Sequence, residues 1–437
     1  IALGIGMVHQ HFMLVDNLSA LENAMLGAES SALLYRAEAP ARQKLQGLMD
    51  STGLHVKLDA LVEDLPVGDR QRLEILKALF RGARVLILDE PTAVLIPQEI
   101  EQLFGVLERL REQGTTVIII THKLKEVMRL CDGVTVMRAG EVVLDTAVAE
   151  TSVNALAQAM VGRSVHMGAE LRAGPEHPGA PTLLQAQGLH VRDHLGVERL
   201  AGVNLQLQAG EIVGVAGVSG NGQSELLEVL CGLRAATQGQ LQVLGADFEA
   251  TNGADAWLNP QQARAFGLAH VPEDRHARAL VMDFAAWESA VLGYEALPAY
   301  AHQGWMQTEA MRAAAADMME RFDVRPRNSE LRCGGFSGGN QQKLVLAREL
   351  GQEPKVLLVG QPTRGVDIGA IEFIHGRLRA MRDAGCAVLL VSSELDEILA
   401  LADRVLVMNQ GRITGELPIS ECNETRLGLL MAGGSVS

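Results

Sequence analysis

The chain repeats one pattern of residues, and this repeat restricts the possible folds more than any other feature of the sequence. Residues 73–90 read LEILKALFRGARVLILDE, and residues 344–361 read LVLARELGQEPKVLLVGQ. Each stretch has apolar residues at helical spacing, then a short loop and a buried strand, and a Pro-Thr pair follows. Three pairs of equivalent positions are each 271 residues apart: Gly68 and Gly339, Asp89 and Gly360, and His122 and Ser393. Ordered matches at a constant spacing indicate a duplicated domain.

Strands and helices alternate in both copies, which predicts an α/β fold with a mainly parallel sheet in each copy. Between the copies lies a stretch rich in Gly, Pro and Ala that shows no periodicity and is typical of a linker. We therefore predict a first domain at 1–165, a linker at 166–181 and a second domain at 182–437. Residues 7–10 match residues 270–273 only 263 positions later, so an inserted segment is longer in the second copy.

Composition narrows the classes of protein. The chain of 437 residues carries a net charge of −15, which argues against a dedicated nucleic-acid binder because phosphate contacts need clustered Lys and Arg. Its five cysteines are scattered without Cys-x-x-Cys spacing, so we expect a reducing compartment with neither disulfides nor a zinc site. No apolar run has the length of a membrane helix, and no signal peptide is recognisable. We therefore expect a cytoplasmic protein that acts at a membrane only through a partner.

A Gly-rich loop at 217–224, GVSGNGQS, follows the apolar strand EIVGVA and precedes an apolar helix, which is the context of a phosphate-binding P-loop. Glycines let backbone N–H groups surround a phosphate, and the positive end of the helix dipole adds to the attraction. The Ser224 hydroxyl is expected to ligate Mg²⁺, but Gln223 occupies the position of the usual lysine. Because an amide carries no charge, the loop predicts nucleotide binding without fast phosphoryl transfer. The candidate nucleotide-binding residues are Gly217, Ser219, Gly220, Asn221, Gly222, Gln223 and Ser224.

A Gly-rich turn without a ligand is the structural alternative for this loop, and the repeat argues against it. The first copy is expected to have its own P-loop, yet the equivalent position lies upstream of Ile1. We therefore expect the first P-loop to belong to a part of the protein that precedes this sequence. We also expect the present stretch alone to hydrolyse ATP weakly or not at all.

Four longer motifs strengthen this interpretation: SGGNQQK at 337–343, LDEPTAVL at 88–95, VPEDRH at 271–276 and QPTRGVDIGAIEFIH at 361–375. Together with the Gly-rich loop they resemble the tandem ATP-binding subunits of bacterial ABC importers for simple sugars and nucleosides. The stretch at 7–27 resembles the nucleoside branch of that class. The resemblance covers nearly the whole chain and implies two tandem P-loop NTPase domains, each with a mainly parallel sheet core and a helical subdomain.

The resemblance implies roles for single residues. Asp89 would hold Mg²⁺, Glu90 would act as general base or orient the attacking water, and His122 would touch the γ-phosphate and hold Glu90. Gln10 would sense the γ-phosphate and face the membrane partner. The signature of the second copy supplies further nucleotide-binding candidates: Ser337, Gly338, Gly339, Asn340 and Gln341. Taken singly, these residues have structural alternatives, which are helix caps for Asp89, Glu90 and Ser337 and a polar strand end for His122.

The residues that depart from the family pattern all affect the same one of the two expected nucleotide sites. In the second copy, Gly360 stands for Asp89, Gln361 for Glu90, Ser393 for His122 and Glu273 for Gln10. Conversely, the signature serine Ser337 is present in the second copy, while the first copy has Pro66. In this family each nucleotide lies between the P-loop of one domain and the signature of the other, so all altered residues belong to one of two sites. We therefore predict one hydrolytic site and one degenerate site that holds nucleotide without turning it over.

The resemblance also implies cofactors and partners. We expect ATP and Mg²⁺ as ligands, membrane permease subunits as direct partners and, through them, an extracytoplasmic substrate-binding protein. The protein is then peripheral to the cytoplasmic face of the inner membrane, with the permease near 10–26 and 272–292. No aromatic residue lies between 185 and 207 to stack on adenine, so His190 or His194 would have to serve. Two alternatives stay open, namely a ribosome-associated tandem ATPase and a nucleotide-binding regulatory module without turnover.

Overall fold

The computed structural model describes residues 3–9, 12–28, 38–92, 95, 97–138, 140–162, 179–218, 220–250, 257–431 and 433. The chain divides into two compact units, Ile1–Ser164 and Val165–Ser437. Two of the predicted site residues, Gln10 and Ser219, lie outside the described residues. Within the described ranges, no helix combines the length and the hydropathy that a membrane span requires.

The first unit is built around a small parallel sheet. Its strands are β1 (Ile5–Val8), β2 (Val85–Asp89) and β3 (Thr116–Ile120), paired in that order. A separate antiparallel hairpin consists of β4 (Gly133–Arg138) and β5 (Glu141–Ala147). The helices are α1 (Ala20–Met25), α2 (Glu38–Thr52), α3 (Val67–Phe80), α4 (Pro97–Glu112), α5 (Leu124–Leu130) and α6 (Val153–Val161). Fully buried leucines on α2, α3 and β2 form the centre of its core: Leu45, Leu73, Leu76, Leu86 and Leu88.

The second unit contains two larger sheets. The strands of the first are β8 (Ile212–Ala216), β11 (Leu268–Val271), β14 (Val356–Gly360), β15 (Ala387–Ser392), β16 (Arg404–Asn409) and β17 (Arg412–Pro418). Their order is β11-β14-β15-β8-β16-β17, and every pairing except that of β17 is parallel. The other sheet is antiparallel and consists of β6 (Thr182–Arg192), β7 (Glu198–Gln208), β9 (Gln238–Val243) and β10 (Ala246–Glu249). A short hairpin joins β12 (Ala301–His302) and β13 (Trp305–Met306).

The helices of the second unit surround the parallel sheet. They are α7 (Gln223–Leu230), α8 (Pro260–Phe266), α9 (Arg275–Arg278), α10 (Ala286–Val291), α11 (Thr308–Arg321), α12 (Gly338–Leu350), α13 (Ile368–Asp383), α14 (Leu395–Leu401) and α15 (Glu424–Met431). One face of the sheet packs against α7 and the antiparallel sheet. The other face packs against α12, α13 and α14. The predicted α/β fold class with a mainly parallel sheet is therefore confirmed.

One face of the parallel sheet is covered in the second unit and exposed in the first. Ile118 and Ile120 on β3 are 47% and 50% exposed, whereas their counterparts Leu389 and Val391 on β15 are buried. In the second unit this face packs against α7 and the antiparallel sheet. Because burial of apolar area is the main stabilising term in folding, this packing stabilises the parallel sheet of the second unit.

His270 on β11 is expected to make the stability of the second unit depend on pH. Burial lowers its pKa to about 4, and the charges of Arg278, Arg264 and Arg348 act in the same direction. Its buried Nε2 has no hydrogen-bond partner among the described residues. Since an unfolded histidine has a pKa of about 6.5, the stability conferred by the neutral ring is complete above that pH and is lost as the pH falls toward 4.

Substitution of His270 by methionine, which the first copy has at the equivalent Met7, removes this titration. Urea unfolding of the wild type should show a free energy of unfolding that declines as the pH falls below about 6.5. The decline should be shallower in His270→Met. An equal slope in the two proteins would contradict the prediction.

Candidate functional site

The Gly-rich loop of the second unit, a candidate phosphate-binding loop, connects β8 to α7. β8 is buried along its whole length, so the loop leaves the sheet from a fixed position. Gly222 lies directly before α7 with a φ of 101°, a conformation that residues with a Cβ rarely adopt. The side-chain oxygen of Asn221 accepts a hydrogen bond from the backbone N–H of Gln410 at 3.1 Å, which ties the loop to the turn between β16 and β17. The loop therefore has the strand, turn and helix that a P-loop requires.

Gln223 fills part of its own loop. Its buried amide donates from Nε2 to the Val218 carbonyl at 3.0 Å and accepts at Oε1 from the Asn221 N–H at 3.1 Å. In a loop of this kind, successive backbone N–H groups are the donors that meet a phosphate. Here a neutral oxygen of the protein satisfies one of them, so a bound phosphate has to displace the Gln223 amide. The loop thus lacks the charge of a lysine and also carries an internal competitor for the ligand.

Ser224 and Glu273 come together beside the loop. The Ser224 hydroxyl donates a hydrogen bond to Oε2 of Glu273, which lies two residues beyond the end of β11. Burial raises the pKa of Glu273, while the Ser224 hydrogen bond and the charge of Arg364 oppose that shift. Hydroxyl and carboxylate oxygens are ligands that Mg²⁺ prefers, so this pair fits a cation next to bound phosphates.

In the first unit, Glu90 and His122 meet at the ends of two neighbouring strands. Asp89 is the last residue of β2, and Glu90 follows it with a φ of 46°. The N–H of Glu90 donates to the Ile120 carbonyl at 2.8 Å. Nδ1 of His122 lies 2.9 Å from Oε1 of Glu90, and both side chains stay partly exposed. A carboxylate held in this way has the geometry of a base that accepts a proton from water.

The second unit keeps this geometry and loses its charge. Gln361 has the same φ of 46°, and its N–H donates to the Val391 carbonyl at 2.8 Å. The Ser393 hydroxyl donates to Oε1 of Gln361 at 3.1 Å, in the place of the contact between imidazole and carboxylate. Gly360 has no side chain where Asp89 has its carboxylate. Because an amide does not take up a proton at neutral pH, this arrangement does not provide a general base.

The signature residues lie at the start of α12. Ser337 precedes this helix, but its side chain makes no capping hydrogen bond. Its exposed Oγ accepts instead from Nδ2 of Asn340 at 2.9 Å, and Oδ1 of Asn340 accepts from the Arg325 N–H at 2.7 Å. Gly338 and Gly339 contribute the first N–H groups of the helix. An exposed hydroxyl beside the N–H groups of a helix start is arranged to meet an anion, so the geometry does not favour a plain capping role for Ser337.

Gln341 lies behind the signature with its side chain buried. Nε2 of Gln341 donates to the Cys333 carbonyl at 3.1 Å, and Oε1 lies 2.8 Å from Nε2 of His276 and accepts from Nε of Arg275 at 3.3 Å. Arg275 also donates to the Arg364 carbonyl at 3.0 Å. The amide of Gln341 therefore fixes the start of α12 to Cys333, Arg275 and His276 within the second unit. Neither Arg275 nor His276 was a predicted site residue, although both belong to the VPEDRH motif at 271–276.

Both stretches expected to meet the permease expose apolar side chains. They are Met13, Val15 and Leu26 in the first unit and Val281 and Phe284 in the second. Helix α1 itself is mostly buried, so Met13, Val15 and Leu26 lie on either side of it along the chain, at the surface of the first unit. These exposed apolar side chains are available for contact with another protein.

The two histidines expected to replace a stacking aromatic residue have different surroundings. Nδ1 of His190 on β6 lies 2.9 Å from Oε1 of Glu198 on β7. His194 is exposed in the turn between these strands. A carboxylate therefore orients the ring of His190, while the ring of His194 is open to solvent.

This chain is similar to known proteins in both of its copies. A family model described as ABC transporter matches residues 2–93 and 200–364. The nucleoside import ATP-binding protein NupA of Lactococcus lactis subsp. cremoris is 41% identical over 435 residues, which cover 100% of this chain and 84% of that protein. The guanosine import ATP-binding protein NupO of Bacillus subtilis is 43% identical over 433 residues, which cover 99% of this chain and 83% of that protein.

Among solved structures, an archaeal ribosome recycling factor in complex with a ribosomal stalk protein superposes with a TM-score of 0.65. The match covers 98% of this chain and 76% of that one at 17% sequence identity. At this identity the likeness shows the fold alone.

The chain belongs to the ABC transporter family. The two regions matched by the family model fall in the two copies of the repeat, and the relatives span the whole chain. The predicted resemblance to ABC importer subunits and the predicted class of transporter ATPase are thereby confirmed. The roles of single residues in the two sites stay predictions.

Proposed function

We propose that this chain is the ATP-hydrolysing subunit of an importer and that its first unit supplies the catalytic base. The contact between Glu90 and His122 carries this proposal, since it holds a carboxylate where it can take a proton from water. The equivalent Gln361 in the second unit has no such ability. Two relatives are named as nucleoside and guanosine import proteins, which favours a nucleoside over a simple sugar as the imported solute.

ATP and Mg²⁺ are the ligands that the described residues fit. We assign the cation of the first unit to Asp89 and that of the second to Ser224, because both offer oxygen atoms. When bound, the cation neutralises the charge that develops on the transferred phosphate. Ser337, Gly338 and Gly339 are assigned to the γ-phosphate, because a helix start with an exposed hydroxyl binds anions.

The mechanism proposed for the first unit assigns one task to each side chain. Glu90 accepts the proton of the attacking water, and His122 keeps the carboxylate in position during that transfer. In the second unit, Gln361 and Ser393 keep the same shape without a base. Turnover then depends on the first unit, and the second site holds nucleotide without hydrolysing it.

The partner that uses this hydrolysis is proposed to be a membrane permease. The permease would bind one surface around Val15 in the first unit and another around Val281 in the second, each residue being 39% exposed. The permease would itself receive solute from an extracytoplasmic binding protein. The subunit then sits peripherally at the cytoplasmic face of the inner membrane. The domain boundaries proposed from the sequence, 1–165, 166–181 and 182–437, fit this assignment of one exposed surface to each copy.

Substitution of Val15 by aspartate tests the proposed surface. A charge placed in the centre of an apolar interface is desolvated without a partner, so co-purification with the permease should fall by about tenfold or more. Val143→Asp is the matched control, because Val143 has a similar exposure of 37% and lies on β5, outside the proposed surface. Co-purification and solute uptake are measured for both variants.

Equal recovery of the permease with both variants would contradict the proposed surface. Co-sedimentation of the wild type with ribosomes instead of the permease would favour the ribosome-associated alternative. A complex with the permease that forms normally but takes up no solute would favour the regulatory alternative.

A further inference from the structure

The segment between β11 and α10 differs between the two copies of the repeat. Helix α10 begins 13 residues after Glu273, whereas α1 begins 10 residues after the equivalent Gln10. The longer segment carries the short helix α9, and residues 274–278 read DRHAR. The counterpart stretch at 11–17 reads HFMLVDN and contains no arginine. The second copy therefore has arginines that the first copy lacks at this place.

Arg275 joins this segment to the signature and to the loop between β14 and α13. Its Nη1 donates to the Arg364 carbonyl at 3.0 Å, and its Nε donates to Oε1 of Gln341 at 3.3 Å. A Cβ on Gly338 would lie only 2.8 Å from Nη2 of Arg275. The guanidinium therefore lies against the first residue of α12, where the sequence provides no side chain. Planar N–H groups that point in several directions suit arginine to such a link between segments.

The partners of this arginine are present only in the copy that has a signature serine. Gly338 and Gln341 correspond to Val67 and Arg70 in the first copy, 271 positions earlier. The same stretch of the first copy has Pro66 in place of the serine. The first copy thus lacks the arginine, the glycine beside its guanidinium and the amide that accepts from it. The contact therefore accompanies a helix start that is able to meet an anion.

Helix α9 holds Arg275 in a fixed position. At its start, the Asp274 carboxylate accepts hydrogen bonds from two backbone N–H groups of the helix at 2.9 and 3.0 Å. At its end, Nη2 of Arg278 lies 2.6 Å from Oε1 of Glu228 on α7. Because both ends of the helix are held, the guanidinium between them can fix the start of α12 instead of following its movements.

We propose that Arg275 is a positioning residue for ATP turnover, because it holds the signature where the signature can meet the γ-phosphate. This inference rests on the proposed function, which assigns Ser337, Gly338 and Gly339 to that phosphate. Arg275 acts through Gly338 and Gln341, which it holds from the side of α9. A displaced signature then weakens the binding of ATP. The binding of ADP is unaffected, because ADP has no γ-phosphate for the signature to meet.

Steady-state turnover of the full-length subunit assembled with its permease tests this role. In Arg275→Met the KM for ATP should rise by about tenfold with kcat within about threefold of the wild type, the pattern of lost binding that substrate and transition state share. The inhibition constant of ADP should stay within about twofold. Arg426→Met is the matched control, because Arg426 is also half-buried and donates to the Glu421 carbonyl at 3.2 Å, within the C-terminal segment. Its constants for ATP and ADP should equal those of the wild type.

Arg275→Lys separates positioning from charge. Lysine keeps the positive charge but cannot reach both Gln341 and Arg364, so this variant should show the same rise in KM as Arg275→Met. A wild-type KM in either variant, or an equal rise in the KM for ATP and the inhibition constant of ADP, would overturn the inference. The proposed function stands in those cases as long as Glu90→Gln still abolishes most of the turnover. If Glu90→Gln hydrolyses ATP at the wild-type rate, the proposed function itself fails.

Discussion

Replacement of Glu90 by Gln is expected to lower ATP turnover by about 10²- to 10⁴-fold, the range that general base catalysis contributes. The two side chains have nearly the same shape, so the contact with His122 can persist through the amide. What is lost is the ability to accept a proton from water. The second unit already has this substitution as Gln361, in the same backbone conformation with a φ of 46°. Phosphate release is measured on the full-length subunit assembled with its permease, and ATP affinity should stay close to that of the wild type.

Gln361→Ala is the matched control for this prediction. Gln361 follows the equivalent strand, β14, and its side chain oxygen accepts a hydrogen bond from the Ser393 hydroxyl at 3.1 Å. Its removal deletes no base, so turnover should stay within about twofold of the wild type. Turnover of Glu90→Gln near the wild-type rate, or an equal loss in Gln361→Ala, would show that catalysis does not depend on the first unit.

The contact between Glu90 and His122 was expected from the family resemblance. Glu90 and His122 each follow an apolar strand, and the two strands, β2 and β3, pair in parallel with Asp89 level with Ile120. Parallel neighbours bring their carboxyl ends to the same edge of a sheet, which accounts in physical terms for the contact that the resemblance implied. The context of the P-loop was predictable from the residues themselves, because a strand, a Gly-rich turn and a helix follow one another directly in the sequence.

Features that depend on rotamers and packing could not be predicted in this way. From the sequence, Gln223 is expected only to be an uncharged replacement for the usual lysine. In the structure its amide makes hydrogen bonds to Val218 and Asn221 within the same loop. From the sequence, Glu273 is only a residue that differs from its counterpart Gln10. Its position beside Ser224 follows from the pairing of β11 with β14. The antiparallel sheet was not predicted, because an alternation of strands and helices reveals neither its two hairpins, β6–β7 and β9–β10, nor the distant pairing of β6 with β9.

Gly222→Ala is expected to destabilise the second unit by about 3 kcal/mol and to impair its binding of ADP. Two costs add at this position. A φ of 101° is unfavourable for any residue with a Cβ. The new Cβ would also lie 2.5 Å from the backbone oxygen of Arg199, so either the loop or β7 has to shift. Such a shift displaces the N–H groups that surround the phosphate, which couples the loss of stability to the loss of ligand binding.

Gly220→Ala in the same loop separates the two costs. Gly220 has a φ of 89°, and a Cβ there would meet no atom within 4 Å. Its substitution should therefore cost only the conformational term, about 1 kcal/mol. Urea unfolding measures both variants, with unchanged m-values as the sign that the folded state keeps its size. Because both glycines have positive φ, the difference in the free energy of unfolding between the two variants reports the clash with the Arg199 carbonyl. Equal losses of stability would show that this carbonyl does not confine the loop.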